Sequence, residues 1–493
     1  MKKTCSVVFL LIVLLFFSSA ALAETRALLI ACSDFISQPD LGNSISGNLH
    51  MIGSALISAD IPLGNLSIED GTIGTFSAFE SAVSDAFSDS QEDDLSLLYI
   101  CTHGILSSSD DSEVYLLLGD GQAESPLSSR ELYSVISRIP GEKLLILDAC
   151  FSGALLGRGM PERITLPGAK VMEPISSSPF LADPTIHVLT SAGGSESAWY
   201  YDSESLKTGA VSYFASALST GLGLYGSAEA DLNGNEIVTL DELHRYLSIA
   251  VPSSSSQLLS SRADALELPV SQSASLSSPL TGFSFETSLL STDDPTLYFS
   301  YTVTRENTGV QYRLVDYENG RWNWENARTF LDEGDTQDAL LSRGRKSRAL
   351  TLEEIAAQDS GYLMLQIFSV TEETVLLCSE RLIALQPAQC SASLSVSCHD
   401  VYDSPGKQEM PVSVHLPVPA ELTVSVFDDE GKLVRRLASS QLTRPSAKDE
   451  YLLYWDGRDN SGFPVPAGRY TITAEAVIGS QRKKAAANII VRS

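Results

Sequence analysis

The sequence predicts an α/β fold: a mainly parallel sheet sandwiched by helices over the first half of the chain, followed by β-sandwich modules. Three observations predict it. Two aliphatic runs end abruptly in small-residue turns that carry chemistry: Leu97 to Ile100 leads into Cys101-Thr102-His103-Gly104, and Leu144 to Leu147 leads into Asp148-Ala149-Cys150-Phe151-Ser152-Gly153. Runs of this length suit buried parallel strands, and in open α/β sheets ligands bind outside the carboxyl ends of the strands. From Thr25 to about Ala250, strand-like and helix-like patterns alternate, the signature of a sheet covered on both faces. Beyond residue 281 the chain turns to short alternating runs separated by turn residues, which is the sandwich pattern.

The elements follow in order. Lys2 and Lys3, the apolar run Val7 to Phe17 and Ala21-Leu22-Ala23 before Glu24 read as a signal peptide over 1–23. The protein is therefore expected to be exported, to the periplasm, the cell surface or the medium. Ala27 to Ala31 is a strand, Leu49 to Ile57 and Phe76 to Phe87 are helices, and Val114 to Leu118 is a strand. Ser128 caps a helix running to Ile139, Lys143 to Leu147 is the strand before Cys150, Ile186 to Thr190 is a further strand, and Gly209 to Leu218 is a helix. Gly157 to Asp183 interrupts this rhythm as a long loop carrying Arg158, Arg163 and Lys170.

These patterns divide the mature chain into a first domain over 24–251, a Ser-rich linker over 252–281, a β-rich module over 282–390 and a sandwich over 391–493. In the second module Tyr298 to Thr304, Tyr312 to Val315 and Tyr362 to Val370 alternate as strands, whereas Trp322 to Ala357 follows no period. In the last, Leu422 to Phe427, the turn Asp428 to Gly431 and Lys432 to Leu437 form a hairpin, and Tyr451 to Trp455 and the run from Gly468 are further strands. The segment Trp455-Asp456-Gly457-Arg458-Asp459-Asn460-Ser461-Gly462, followed by Pro466-Ala467-Gly468-Arg469-Tyr470, resembles the Ig-like domain of flagellar hook-capping proteins. That resemblance implies a fold rather than an activity, and modules of this kind space, stabilise or dock, here to an envelope or surface.

The formal net charge is -29 and becomes -31 once Lys2 and Lys3 are lost, which argues against nucleic acid or anionic membranes as partners. Six cysteines remain after removal of the leader, too few over this length for a disulfide scaffold. Cys390 and Cys398 are near enough in sequence to bridge, but spacing does not define connectivity. Neither CxxC nor HExxH is present, so the sequence offers no zinc motif.

His103-Gly104 lies about fifty residues upstream of the x-A-C-x-x-G turn at Cys150, the order and spacing of caspase-type peptidases. With Asp two places before the cysteine and Ser-Gly after it, residues 25–250 resemble the metacaspase and bacterial caspase-like branch. The resemblance implies a cysteine endopeptidase acting on polypeptide, without a required cofactor. Cys150 would attack the scissile carbonyl, His103 would protonate the leaving amine, and the N–H groups of Gly104 and Cys150 would form the oxyanion hole. Asp148 would line the pocket for the residue before the scissile bond and favour Arg or Lys. A strand-end Asp also commonly binds its own turn, and for Asp148 both readings stand. Self-processing at Arg158 or Arg163 would follow from a basic preference.

One departure bears on that preference. The family places a second acid at the start of the first helix, and Asn48 occupies that place here. An amide accepts a hydrogen bond but supplies no charge. Ser191 and Trp199, after the next strand, fall where the family binds substrate side chains. His50, His187 and His244 have no partner in sequence and read as packing or surface residues, as do Cys32 and Cys101.

The stretch Asp231 to Glu242 carries Asp231, Asn233, Asn235 and Glu242 at EF-hand positions one, three, five and twelve, so Ca2+ is the one metal the sequence suggests. Glu236 stands where that loop places Gly, and such segments also occur simply as a turn before a helix. The rival to the peptidase reading is an inactive caspase-like domain in a surface or adhesion protein whose β modules bind a partner; ligation through the same thioester is a third.

Overall fold

The computed structural model describes residues 23–42, 45–106, 114–157, 178–203, 209–271, 273–332, 334, 339–352, 361–370, 375–388, 390, 392–403, 405–446 and 449–492. Residues 1–22 of the expected signal peptide over 1–23, and Arg158, Arg163 and Lys170 of the long loop, lie outside these residues.

In chain order the first domain runs β1 (Thr25–Ala31), α1 (Ser46–Ser58), β2 (Leu66–Asp70), α2 (Phe76–Ala86), β3 (Leu95–Cys101), β4 (Gly104–Leu106), β5 (Val114–Gly119) and β6 (Glu124–Leu127). It continues with α3 (Ser129–Ile136), β7 (Glu142–Asp148), β8 (Ile186–Thr190), β9 (Tyr200–Ser203), β10 (Gly209–Ser212), α4 (Tyr213–Gly221), β11 (Val238–Thr239), α5 (Leu240–Ala250), β12 (Gln257–Leu259) and β13 (Glu267–Leu268). Six strands form the main sheet in the order β12-β8-β7-β3-β1-β2. All neighbours are parallel except β12, which runs antiparallel to β8.

The alternation of side chains along each strand explains the two layers. Leu29, Leu97, Tyr99, Leu144 and Ile146 pack with α1, α4 and α5, while Leu28, Leu98, Ile100, Leu145 and Leu147 pack with α2 and α3. Both faces are covered, so the strands read as continuous aliphatic runs. Ser128 caps α3 as expected, in a reciprocal capping box with Glu131.

Several expectations are corrected. Val114 to Leu118 is a strand, but β4, β5 and β6 form a separate antiparallel sheet outside the main one. The expected helix over Gly209 to Leu218 begins only at Tyr213: Gly209–Ser212 pairs with β9, and the Ser212 hydroxyl caps the helix by accepting from Ala215 N. β2 was hidden because its outer positions are polar or exposed, as edge strands tend to be.

The stretch 252–281 is not a free linker. Gln257–Leu259 adds the antiparallel edge strand to β8, Glu267–Leu268 pairs with β11, and Ser271 N donates to Leu222 O. Its serines satisfy backbone and side-chain partners, so a flexible-linker composition here marks a hydrogen-bonded connection.

Antiparallel modules follow. In the second module Leu280–Phe285, Thr296–Val303 and Gly344–Thr351 form one sheet. A second, mixed sheet is built on Gly309–Glu318, Tyr362–Val370 and Val375–Gln386, and the two enclose Tyr301, Leu314, Leu365 and Ile383. The unplaced stretch after Trp322 supplies Arg328–Leu331 and Gly344–Thr351, whose outer positions alternate between half-buried and exposed rather than apolar and polar. The last module closes over Trp455, whose ring meets those of Tyr402 and Tyr470. The Trp455 indole donates to Arg458 O at 3.0 Å and Asp459 Oδ1 accepts from Ser461 and Phe463 N, which explains the W-D-G-R-D-N turn. Cys390 and Cys398 are not bonded to each other; all six described cysteines are free.

Candidate active site

β3 and β7 pair with Cys101 opposite Asp148, so the two turns leave the sheet in register. His103 and Cys150 each stand two residues beyond that pair and therefore share one rim. Gly104 is required there by close approach: a Cβ on it would fall 1.7 Å from the Cys150 carbonyl oxygen. The main chains after His103 and at Cys150 are thus in direct contact.

His103 is fixed by a loop that no motif or pattern marked. Its Nε2 lies 2.8 Å from Pro39 O, and because a carbonyl only accepts, Nε2 carries the proton and Nδ1 is left as acceptor. Phe35 packs against the ring at 4.7 Å. Glu124 pins this loop by accepting from Ile36 N and Ser37 N, and Asp40 Oδ1 accepts from Phe35 N. The Ser37 hydroxyl and the Ser37 and Ile36 amides, with the nearby His103 ring, hold Glu124 below the usual carboxylate range. Pro39 acts through its carbonyl, which every residue possesses, so its residue type carried no signal.

The Cys150 turn is held tightly. Phe151 sits at φ +58, in the left-handed region that a β-carbon disfavours, and its N–H donates to Glu196 O at 2.8 Å. Ala198 N donates to the Cys150 sulfur at 3.4 Å. A Cβ at Gly153 would lie 2.8 Å from Gly194 N, so this turn packs directly on the segment after β8. Cys150 is half-buried.

Asp148 lies beneath this rim, fully buried, on the face covered by α1 and α4. Its Oδ2 accepts from Tyr99 Oη at 2.7 Å, Ser212 Oγ at 2.6 Å and Asn48 Nδ2 at 3.4 Å. Asn48 Oδ1 in turn accepts from Ser212 N at 2.9 Å. Among the described residues nothing hydrogen-bonds Asp148 Oδ1, which is buried. Burial raises the Asp148 pKa, opposed by the hydroxyls of Ser212, Tyr99 and Ser191. Cys101 lies in the same pocket, 3.3 Å from Asn48 Nδ2 and 3.6 Å from Tyr200 Oη, and burial pushes its thiol far up. The structure therefore joins Asn48 to Asp148, places Tyr200 of the aromatic run beside Trp199 in the same pocket, and adds Tyr99 and Ser212, which sequence reasoning missed. Tyr99 was hidden inside an aliphatic run and Ser212 inside an expected helix.

Ser191 and Trp199 part company. Ser191 is buried behind the turn, its hydroxyl accepting from Ala149 N at 3.1 Å, whereas Trp199 is half-exposed at the rim beside Ala198. His187 is buried between Ser260 Oγ and Glu142, and His244 approaches Ser256 O, so both serve packing networks.

The 231–242 loop folds around its own side chains. Asp231 accepts from Gly234, Asn235 and Glu236 N, and Asn233 Nδ2 meets Glu242 Oε1 at 2.5 Å. Glu236 takes φ +66, the left-handed turn that Gly supplies in calcium loops. The other oxygen of Glu242 completes the capping box with Thr239 at the start of α5.

Residues 13–166 match the CHAT domain family and residues 400–480 the FlgD Ig-like domain family. No curated protein matches the chain. Among solved structures, caspase-1 from Spodoptera frugiperda is similar at 13% identity, with 48% of this chain and 88% of that one covered and a TM-score of 0.32. Protein GSU0716 from Geobacter sulfurreducens is similar at 16% identity, with 48% and 92% covered and a TM-score of 0.30. Red sea bream transglutaminase follows at 10% identity, with 44% and 32% covered and a TM-score of 0.20. Scores this low carry no argument about activity.

Proposed function

For a chain that carries a caspase-related CHAT domain at its amino end and a FlgD Ig-like domain at its carboxyl end, we propose the function of an exported cysteine endopeptidase. The single observation that carries this reading is the rim contact between the His103-Gly104 and Cys150 turns, with a proton already assigned to His103 Nε2. In the proposed reaction His103 Nδ1 takes the Cys150 thiol proton as sulfur attacks the scissile carbonyl. Main-chain N–H groups of Gly104 and Cys150 stabilise the oxyanion. As the C–N bond breaks, the imidazolium returns the proton to the leaving amine, and water then hydrolyses the thioester.

Specificity for Arg or Lys before the scissile bond is supported by Asp148. A fully buried carboxylate oxygen without a donor is costly, and a cationic side chain would supply the missing partner. Asn48 does not remove that charge; it donates to it. Trp199 offers an exposed aromatic wall beside the site. A panel of peptides differing only at this position tests the reading. Arg and Lys peptides are expected to exceed neutral ones by about 100-fold in kcat/KM, and Asp148→Asn to erase the difference. Equal rates across the panel would contradict it. Self-cleavage at Arg158 or Arg163 belongs to the same reading, and Cys150→Ala is expected to yield no such fragments.

For the 231–242 loop, the oxygen-rich set Asp231, Asn233, Asn235 and Glu242 suits a hard cation, and we propose Ca2+ there in a structural role, which requires the Asn233 amide to turn its oxygen rather than its N–H toward the site now closed by Glu242. The rival reading, an inactive domain with β modules that bind an envelope partner, has no comparable local geometry in its favour.

A further inference from the structure

The contacts that hold the Cys150 turn lead out of the first domain. Phe151 N and Ala198 N tie the turn to the segment 191–198 on either side of the thiol, and Gly153 N donates to Ala192 O at 3.0 Å. That segment is held in turn by two serines between α5 and β12. Ser254 Oγ donates to Ser191 O at 2.8 Å, while Ser255 N and Oγ donate to the Glu196 carboxylate at 2.6 and 2.9 Å.

The serine turn has little apolar surface with which to fix itself, and its carbonyls converge on one guanidinium of the last module. Arg444 Nη1 donates to Ser248 O at 2.6 Å. Its Nη2 donates to Val251 O at 3.2 Å, Pro252 O at 3.0 Å and Ser254 O at 2.6 Å. Ser248 and Val251 lie at the carboxyl end of α5, where unpaired carbonyls and the helix dipole both favour a cation. The planar fork of an arginine satisfies four carbonyls at once; a lysine ammonium has three donors and no fork.

We propose that Arg444 is a positioning residue for Cys150, so that the carboxyl-terminal Ig-like module is a working part of the cysteine site rather than a detachable spacer. The path runs from Arg444 through Ser254 and Ser255 to Ser191 and Glu196, and from Glu196 O to Phe151 N. Its effect on turnover rests on the peptidase reading; its effect on the turn does not. Arg435 provides an internal contrast. It crosses the same boundary to Ser260 O and Ser261 O, beyond β12, and its side-chain hydrogen bonds among the described residues go there and to Asp459 O rather than to the serine turn.

The test uses the full mature chain with Arg444→Ala, Arg435→Ala and Glu196→Gln, read by amide exchange over 149–153 and 191–198 and by kcat and KM on a basic peptide. Arg444→Ala is expected to speed exchange in both segments about tenfold and to lower kcat about tenfold with KM little changed. Arg435→Ala is expected to leave all of these at wild-type values. Wild-type exchange in Arg444→Ala, or an equal loss in Arg435→Ala, overturns the proposal. Should Arg444→Ala fail to fold, Glu196→Gln decides from the other end: faster exchange at 149–153 supports the path and unchanged exchange overturns it. A wild type that cleaves no peptide refutes the peptidase reading alone, since exchange still decides for Arg444.

Discussion

His103 donates from Nε2 to the carbonyl oxygen of Pro39 at 2.8 Å, and this one bond leaves Nδ1 as the ring nitrogen that the proposed dyad with Cys150 would use. The orienting group is a main-chain atom on a loop that Glu124 and Asp40 hold in place. Pro39→Ala, which keeps the carbonyl, is expected to retain peptidase activity within about threefold, whereas Glu124→Ala, which frees the loop, lowers kcat about tenfold. A pH–rate profile that shifts in Glu124→Ala but not in Pro39→Ala would locate the effect in the imidazole rather than in the fold. The opposite ranking would refute the loop's role.

Gly104 has no room for a methyl group against Cys150 O. Gly104→Ala is expected to cost about 1–3 kcal/mol of stability through the displaced strand ends. It should also lower kcat/KM by about 100-fold, because the turn and its main-chain donors move together. Thermal unfolding and peptide turnover check both. A fully active Gly104→Ala would mean that the contact is looser than the structure shows.

Stability carries a pH signature at the boundary between the first two modules. Glu380 is buried against Gln366 Nε2 at 2.7 Å and Ser253 Oγ at 3.3 Å, and burial raises its pKa to about 7, opposed by those two bonds and by Arg444. Its folded pKa therefore exceeds the unfolded one. The contribution is fully present below the ordinary Glu range and is lost as pH rises through 7. Glu380→Gln should leave the midpoint unchanged near pH 4 and raise stability at pH 8 by on the order of 3 kcal/mol. A variant whose gain is the same at both pH values would contradict this.

Much of this site was legible in the sequence because its two chemical turns interrupt aliphatic runs. His103, Gly104, Cys150 and Asp148 all announce themselves by residue type at a strand end. What stayed hidden works through atoms or separations that type does not encode. Pro39 contributes a carbonyl, Tyr99 reads as one more core residue, and Ser212 is a helix cap concealed by a hairpin before it. Ser254 and Ser255 sat in a stretch whose composition suggests a linker, and Arg444 lies 190 residues from the carbonyl of Ser254 that it binds. The fold was readable where hydrophobic period decides it, in the main sheet and the last sandwich. It was not where polar pairing decides it, as in β12 and the strands after Trp322.

Calcium has its own check. With the 231–242 loop as a structural Ca2+ site, millimolar CaCl2 raises the unfolding midpoint of the wild type, MgCl2 does not, and Glu242→Gln abolishes the rise. Equal midpoints with and without CaCl2 would leave the loop as a helix cap alone.

The central claim is that Cys150 is a nucleophile served by His103. The direct measurement is the intact mass of the full chain after reaction with an acyl-transfer probe bearing a single arginine, followed by mapping of the adduct. The account predicts one adduct, on Cys150, absent in Cys150→Ala and formed about 10^4-fold more slowly in His103→Ala. Adducts of equal yield in wild type and both variants, or on another cysteine, would contradict it.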